Sequence, residues 1–252
     1  MLQELNHRRR FTKRLAGFSL IEMMCVLGVL GIVMGVVVAA MTQMQQRQVS
    51  EGAKVDVTQE SRDFIDQMVR DIHTVGYPPG RVENNNPTCS GQVNVSCGVI
   101  YFSSTQLQYE GDLDGTGTVY QVWLQLIPGS NGNCPCVLQR GVLTKADILA
   151  GKIPTYFTEL NGVVNSGNGV GAATYTINLP NAAVYATYAT TDVFRAWDVN
   201  TNQVTSCTDL ASCTSAAIRS LEVTVNVTSS IDDPQTKLFP VLSITSKARL
   251  NN

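Results

Sequence analysis

A single apolar run, Phe18 to Met41, constrains this chain more than any other feature. It is 24 residues long, it carries one charge, Glu22, and five basic residues crowd the positions before it. As an α-helix it would rise about 36 Å, at about 1.5 Å per residue, which is enough to cross a hydrocarbon core of about 30 Å. A carboxylate in hydrocarbon is costly, so an acid inside such a span is a functional candidate by default. Arg8, Arg9, Arg10, Lys13 and Arg14 precede the run, whereas Thr42, Gln43 and Gln45 follow it. The positive-inside tendency then keeps the amino terminus cytoplasmic and exports the rest of the chain.

A secretory signal peptide places its small-residue cleavage site after the apolar region. Here Gly17 comes before it, so a cut there falls on the cytoplasmic side and leaves the helix on the product. The stretch Lys13-Arg14-Leu15-Ala16-Gly17-Phe18-Ser19-Leu20-Ile21-Glu22 resembles the class III signal of type IV prepilins and type II secretion pseudopilins. The resemblance implies a prepilin peptidase that cuts between Gly17 and Phe18 and methylates the new amino group of Phe18. It also implies that Glu22 pairs with the freed amino terminus of an adjacent subunit, which would offset its burial and set subunit register. An ordinary signal anchor accounts for the apolar run but not for Gly17-Phe18 or Glu22. Major pilins usually carry a proline partway along the span. This one offers only Gly28, Gly31 and Gly35 as weak points.

Removing residues 1–17 takes away five basic residues and Glu4. The 18 basic and 20 acidic residues become 13 and 19, and the formal charge moves from −2 to −6. Such a chain is a poor non-specific ligand for nucleic acid or anionic headgroups. No nucleic-acid partner is expected.

Helical spacing continues past the span. Phe64, Ile65, Met68, Val69, Ile72 and Val75 recur at three- and four-residue intervals, while Arg62, Asp63, Asp66, Arg70 and Asp71 take other faces. Gly76-Tyr77-Pro78-Pro79 supplies a glycine stop followed by prolines. The pattern predicts one long helix from Ser19 to Val75 whose second half lies on a core. Beyond it the chain is rich in Thr, Ser, Asn, Val and Gly, as suits strands and turns. Predicted strands are 99–103, 106–110, 119–127, 137–143, 174–179, 183–188, 193–198, 218–227 and 237–245, with a short helix at 145–149. Residues 79–96 and 161–171 read as loops. The economical architecture is α+β, an antiparallel sheet head packed on the amphipathic half-helix.

Of seven cysteines, Cys25 lies in the span and six lie beyond it: Cys89, Cys97, Cys134, Cys136, Cys207 and Cys213. An even number in an exported domain reads as a disulfide framework. Local closure favours Cys89 with Cys97 and Cys207 with Cys213. A bridge across the single residue Pro135 strains the usual geometry, which leaves cross-pairing of Cys134 and Cys136 with a neighbouring loop open. No Cys-x-x-Cys pair supports zinc. Counting a calcium loop from Asp112 puts Trp123 at the twelfth, bidentate position, so Asp112-Leu113-Asp114-Gly115-Thr116-Gly117 reads instead as a hairpin turn. His7 leaves with the leader, and His73, near a helix end, faces no evident nucleophile. No phosphate-cradling loop or nucleophile elbow appears. Neither an enzyme nor a cofactor is expected.

Three further segments extend the resemblance. Glu60-Ser61-Arg62 through Arg70-Asp71-Ile72-His73-Thr74-Val75-Gly76-Tyr77 resembles the close of the long helix in PilW-like minor pilins of type IV pili. Tyr109 to Gly117 resembles their central strand–turn–strand, and Ser246-Lys247-Ala248-Arg249-Leu250-Asn251-Asn252 their terminus. This implies four parts: a leader removed at 1–17, a membrane and filament-core helix at 18–42, an amphipathic half-helix at 43–77, and a β-rich head at 78–252. The implied function is a structural subunit acting in pilus assembly initiation or at the tip. Implied partners are the prepilin peptidase, other minor and major pilins, and the inner-membrane assembly platform. The implied location is the inner membrane, with a periplasmic head, and then the pilus at the cell surface. A J-type pseudopilin of type II secretion is the alternative within the class. A signal-anchored periplasmic adhesin or binding module that never polymerises is the alternative outside it.

Overall fold

The computed structural model describes residues 19–79, 89–129, 131–167 and 175–250. The chain divides into two units, residues 1–46 and 47–252. Helix α1 runs from Leu20 to Thr74 without a break, passing through Gly28, Gly31 and Gly35. The unit that begins at residue 47 is an α+β head with an antiparallel sheet and three disulfides.

Within the head, α1 buries Ser61, Phe64, Ile65, Met68, Asp71 and Ile72, the three- and four-residue rhythm of a helix lying on a core. Asp71 corrects the sequence reading, which assigned it to an outer face. It lies three residues beyond Met68 and seven beyond Phe64, and so falls on the buried stripe. The helix ends where Gly76 takes a φ of 83°, a left-handed stop that glycine supplies without strain. Val75 then forms an antiparallel bridge with Gly111, and the Gly76 N–H donates to the Glu110 carbonyl at 3.0 Å. A Cβ on Gly111 would stand 2.7 Å from the Thr74 carbonyl oxygen, so the approach of helix end and strand requires glycine there.

Nine strands form the sheet: β1 (Val99–Phe102), β2 (Gln106–Gly111), β3 (Tyr120–Ile127), β4 (Cys136–Thr144), β5 (Tyr156–Val163), β6 (Phe194–Asp198), β7 (Gln203–Val204), β8 (Ile218–Thr228) and β9 (Val241–Arg249). β1 to β5 run as an antiparallel meander. β8 joins its far end, with β6 and then β7 beyond, and β9 also pairs with β8. β5 touches β8 through one pair, Val163 with Val227. The buried Asn165 side chain completes that junction. Its Oδ1 accepts the Asn226 N–H at 2.7 Å, and its Nδ2 donates to the carbonyls of Thr191 and Thr224. Short helices α2 (Lys145–Leu149), α3 (Ala186–Ala189) and α4 (Leu210–Ala216) fill the connections.

Several predicted elements shift. Residues 183–188 form a 3-10 turn and α3 instead of a strand. Alanine is frequent there, favouring helix, and the buried Tyr185 hydroxyl is tied to the Phe239 backbone. The segment predicted as a strand over 174–179 begins outside the described residues. Its remainder makes only an isolated bridge, Ile177 with Cys134. The last strand starts at Val241, after a turn at Asp233–Leu238 and Pro240, and runs on to Arg249. β5 occupies a stretch assigned to no strand and enters the predicted loop at 161–171. Irregular register against β4 erases its alternation. α4 was also missed, although Asp209 and Ser212 form a capping box.

The helix is fixed to the sheet by charge as well as by apolar contact. Asp71 Oδ2 lies 2.6 Å from an Arg140 guanidinium nitrogen and accepts a 3.0 Å hydrogen bond from the Tyr109 hydroxyl. The Asp71 and Arg140 side chains are only 12% and 14% exposed. Burial, with the Asp71 carboxylate beside it, pushes the Tyr109 phenol well above its usual pKa. Asp71→Ala would strand the Arg140 charge and should cost about 3–5 kcal/mol of stability. Denaturant unfolding of the full chain in detergent checks this, with Asp63→Ala, on the exposed face, close to wild type.

Candidate functional site

The amino-terminal half of α1 is the chemically distinctive surface. The Ser19 carbonyl accepts the N–H groups of Glu22 (3.0 Å) and Met23 (3.1 Å), so Glu22 stands in the first turn. A carboxylate there is favoured by the helix dipole. No further charge occurs until Arg47. Mean hydropathy reaches 2.7 over an 18-residue window of this helix, all of it exposed within the chain. Leu20 is 78% exposed and Ile32 71%. A Cβ added at Gly28, Gly31 or Gly35 would meet nothing, and the Cys25 thiol is free and exposed. Cys25, Val26, Val29, Leu30 and Val33 line a shallow apolar groove along one side. So much bare apolar surface requires lipid or other apolar helices around it. The helix can therefore cross a membrane or pack in a bundle, with one acid marking its start.

Gly17 and Phe18, expected at the processed bond, lie outside the described residues. The six remaining cysteines pair as Cys89–Cys97, Cys134–Cys136 and Cys207–Cys213. The pair for which the sequence left cross-pairing open is joined locally, across Pro135, with a Cα–Cα distance of 4.2 Å.

In the Asp112–Gly117 segment the carboxylates serve the turn itself. The buried Asp112 side chain accepts the N–H groups of Gly115 and Gly117, both at 2.8 Å. Asp114 accepts from the Thr116 hydroxyl and N–H and from the Tyr120 hydroxyl, and these bonds lower its pKa to about 2. Trp123 sits within β3. His73 is exposed in the last turn of α1. Among the described residues no three His, Cys, Asp or Glu side chains gather as a metal site.

Sequence reasoning missed one buried cluster entirely. Lys145, 2% exposed, places its ammonium 2.7 Å from Glu110 Oε2. The same ammonium donates to the carbonyls of Cys89 (2.8 Å) and Val95 (2.7 Å), while Glu110 Oε2 also accepts the Cys97 N–H at 2.8 Å. The pair thus clamps the loop closed by the Cys89–Cys97 disulfide onto the sheet. Its only sequence signal was charge in positions with strand or helix-start patterning, which is indistinguishable from a solvated face.

A family model for the prokaryotic N-terminal methylation motif matches residues 12–38. No curated protein and no solved structure gives a significant match to the chain. The motif supports a type IV pilin-type or pseudopilin-type structural subunit, and implies processing by a prepilin peptidase and pilin partners. With the apolar helix it fits anchoring in the inner membrane and a head in the periplasm. A structural protein, not an enzyme, is what such a motif suggests.

The cysteine pairing gives a direct count. Of the seven thiols in the sequence, only Cys25 is free. Thiol titration of the denatured chain without reductant should find one group per molecule, lost in Cys25→Ser. Three or more free thiols would contradict the framework.

Proposed function

We propose that this chain is a PilW-like minor pilin, a structural subunit acting in initiation of type IV pilus assembly or at the pilus tip. One observation carries the reading. A methylation motif over residues 12–38 heads an exposed apolar helix whose only charge before Arg47 is Glu22, in the first turn. Residues 47–252 form a disulfide-bonded α+β unit. In this reading residues 1–17 are removed, 18–42 anchor the subunit and later pack in the filament core, 43–77 support the head, and 78–252 form it.

The chemistry follows from desolvation. A lone carboxylate among apolar helices is costly unless a cation meets it. Cleavage after Gly17 creates one cation per subunit, the amino group of Phe18. Pairing between Glu22 of one subunit and Phe18 of its neighbour neutralises both charges and fixes the axial step between helices. A subunit out of register leaves both charges unpaired in an apolar setting. Type II secretion pseudopilins share this chemistry, and filament type distinguishes them: recovery in sheared pili or in their initiation complex supports the minor pilin, and recovery in a pseudopilus supports the J-type alternative.

Mass spectrometry of the membrane-extracted protein should find a mature amino terminus at methylated Phe18. An intact leader in cells with active prepilin peptidase would count against the reading and favour a signal-anchored module. Glu22→Ala should insert at least as well as wild type, because removing an acid lowers the transfer cost. It should also be cleaved normally, since the Gly17–Phe18 bond is unchanged. Assembly should fail, leaving the variant in the inner membrane and absent from filaments or initiation complexes. Piliation restored to wild-type level by Glu22→Ala would remove this acid from the mechanism.

A further inference from the structure

The three disulfides differ in what surrounds them. Cys134, Cys136, Cys207 and Cys213 are buried, none more than 4% exposed, whereas Cys89 and Cys97 are only half-buried. All three bridges close short loops, with sequence separations of 8, 2 and 6. Loop length therefore distinguishes them little, and access distinguishes them sharply. Cys97 lines an open cleft of about 260 Å³ with Val99, Arg219 and Leu250. Cys213 stands on the same wall but is 4% exposed.

The loop from Cys89 to Cys97 is also held independently of its bridge. One ammonium binds both of its ends: Lys145 Nζ donates to the Cys89 carbonyl at 2.8 Å and to the Val95 carbonyl at 2.7 Å. It lies 3.5 Å from Cys97 Sγ. Glu110 Oε2, which faces this ammonium, accepts the Cys97 N–H at 2.8 Å. The Ser96 hydroxyl donates to the Glu110 carbonyl at 2.7 Å, and the Ser96 N–H to the Pro78 carbonyl at 3.0 Å. None of these backbone anchors requires the sulfur–sulfur bond. Opening it leaves two thiols within reach of each other, and a cation beside Cys97 favours its thiolate.

We infer that Cys89 and Cys97 form a reversible dithiol–disulfide couple in the folded head, opened and closed by a thiol–disulfide exchange partner while the Lys145–Glu110 pair holds the loop in place. In closing, the Cys97 thiolate attacks one sulfur of the partner's disulfide and displaces the other as a thiolate. The Cys89 thiolate then attacks Cys97 Sγ, forms the intramolecular bond and expels the partner's remaining sulfur. Two electrons pass to the partner, and the two protons released by the cysteines end on its dithiol. Opening is the same sequence reversed. The effect is local, because only the exposed residues 90–94 between the two sulfurs gain freedom. This goes beyond the pilin reading and applies to the head whichever filament the chain joins.

The experiment uses the oxidised full-length chain in detergent, equilibrated with graded mixtures of reduced and oxidised glutathione. Samples are quenched in acid, alkylated and read peptide by peptide by mass spectrometry, with Cys25, free throughout, as the labelling reference. Cys89 and Cys97 should be labelled together at a [GSH]²/[GSSG] quotient about tenfold or more below that needed by the other four cysteines. Far- and near-UV circular dichroism should not change, and oxidised glutathione should close the bridge again. Cys89→Ser with Cys97→Ser should keep the fold and both other bridges. Lys145→Met with Glu110→Gln removes the clamp without leaving a lone buried charge. In that folded variant the bridge should open at a quotient about tenfold lower than in wild type, a shift of ~30 mV.

Reduction of all three bridges together overturns the inference, as does opening of either other bridge first or loss of the fold as Cys89–Cys97 opens. A double-serine chain that fails to fold overturns it too, and so does a folded clamp variant with the wild-type midpoint. Should the clamp variant not fold, the wild-type titration and the double-serine chain decide. Filament recovery of Glu22→Ala tests the pilin reading separately and leaves this midpoint untouched.

Discussion

The head depends on a buried carboxylate that joins three elements. Asp71 comes from the last turns of α1, Tyr109 from β2 and Arg140 from β4, and they meet at 2.6 and 3.0 Å. Hydrophobic packing would let a helix slide or rotate on a sheet with modest loss, because apolar contact is non-directional. A buried charge allows no such freedom, since any displacement leaves Arg140 or Asp71 desolvated and unpaired. The junction therefore fixes the azimuth and height of the helix end on the strands. Gly111 sits against Thr74 and the Val75 bridge continues the sheet hydrogen bonding into the helix terminus.

A second buried pair works by the same logic at the end of the meander. Lys145 and Glu110 satisfy each other, and their remaining hydrogen-bonding capacity goes to backbone groups of the loop between Cys89 and Cys97. Net stabilisation from such a pair is small once desolvation is counted, so its contribution is chiefly geometric. Together with the disulfide it holds a loop that has little apolar surface of its own. The other two disulfides, Cys134–Cys136 and Cys207–Cys213, lie within the hydrophobic core itself.

The two units obey different solvents. In residues 47–252 the buried apolar side chains form one core. In the amino-terminal half of α1 they are displayed, from Leu20 to Met44. A soluble monomer with that surface would associate without specificity. A membrane can resolve the conflict, and in the proposed function a bundle of like helices resolves it after assembly. In the proposed function Glu22 makes the second environment selective, because only a correctly stepped neighbour brings it an amino group.

The long helix, its stop at Gly76, the α+β class and most strands of the meander were legible in the sequence. Each depends on local periodicity or on a residue with one conformational use. The prepilin-type signal was legible for the same reason, since its chemistry is contiguous. What the sequence could not reveal involves partners far apart in the chain. Asp71 looked like a solvated helix residue because Arg140 is 69 residues away. Lys145 and Glu110 looked like surface charge because only folding brings them together. β5 was hidden by its irregular pairing with β4, and nothing local revealed that Tyr185, within the helical residues 183–188, anchors to Phe239 across 54 residues. The sequence by itself determined the long helix, the α+β class and which surface must leave water. The tertiary structure alone decided which charges are buried, because that outcome depends on neighbours that local pattern does not specify.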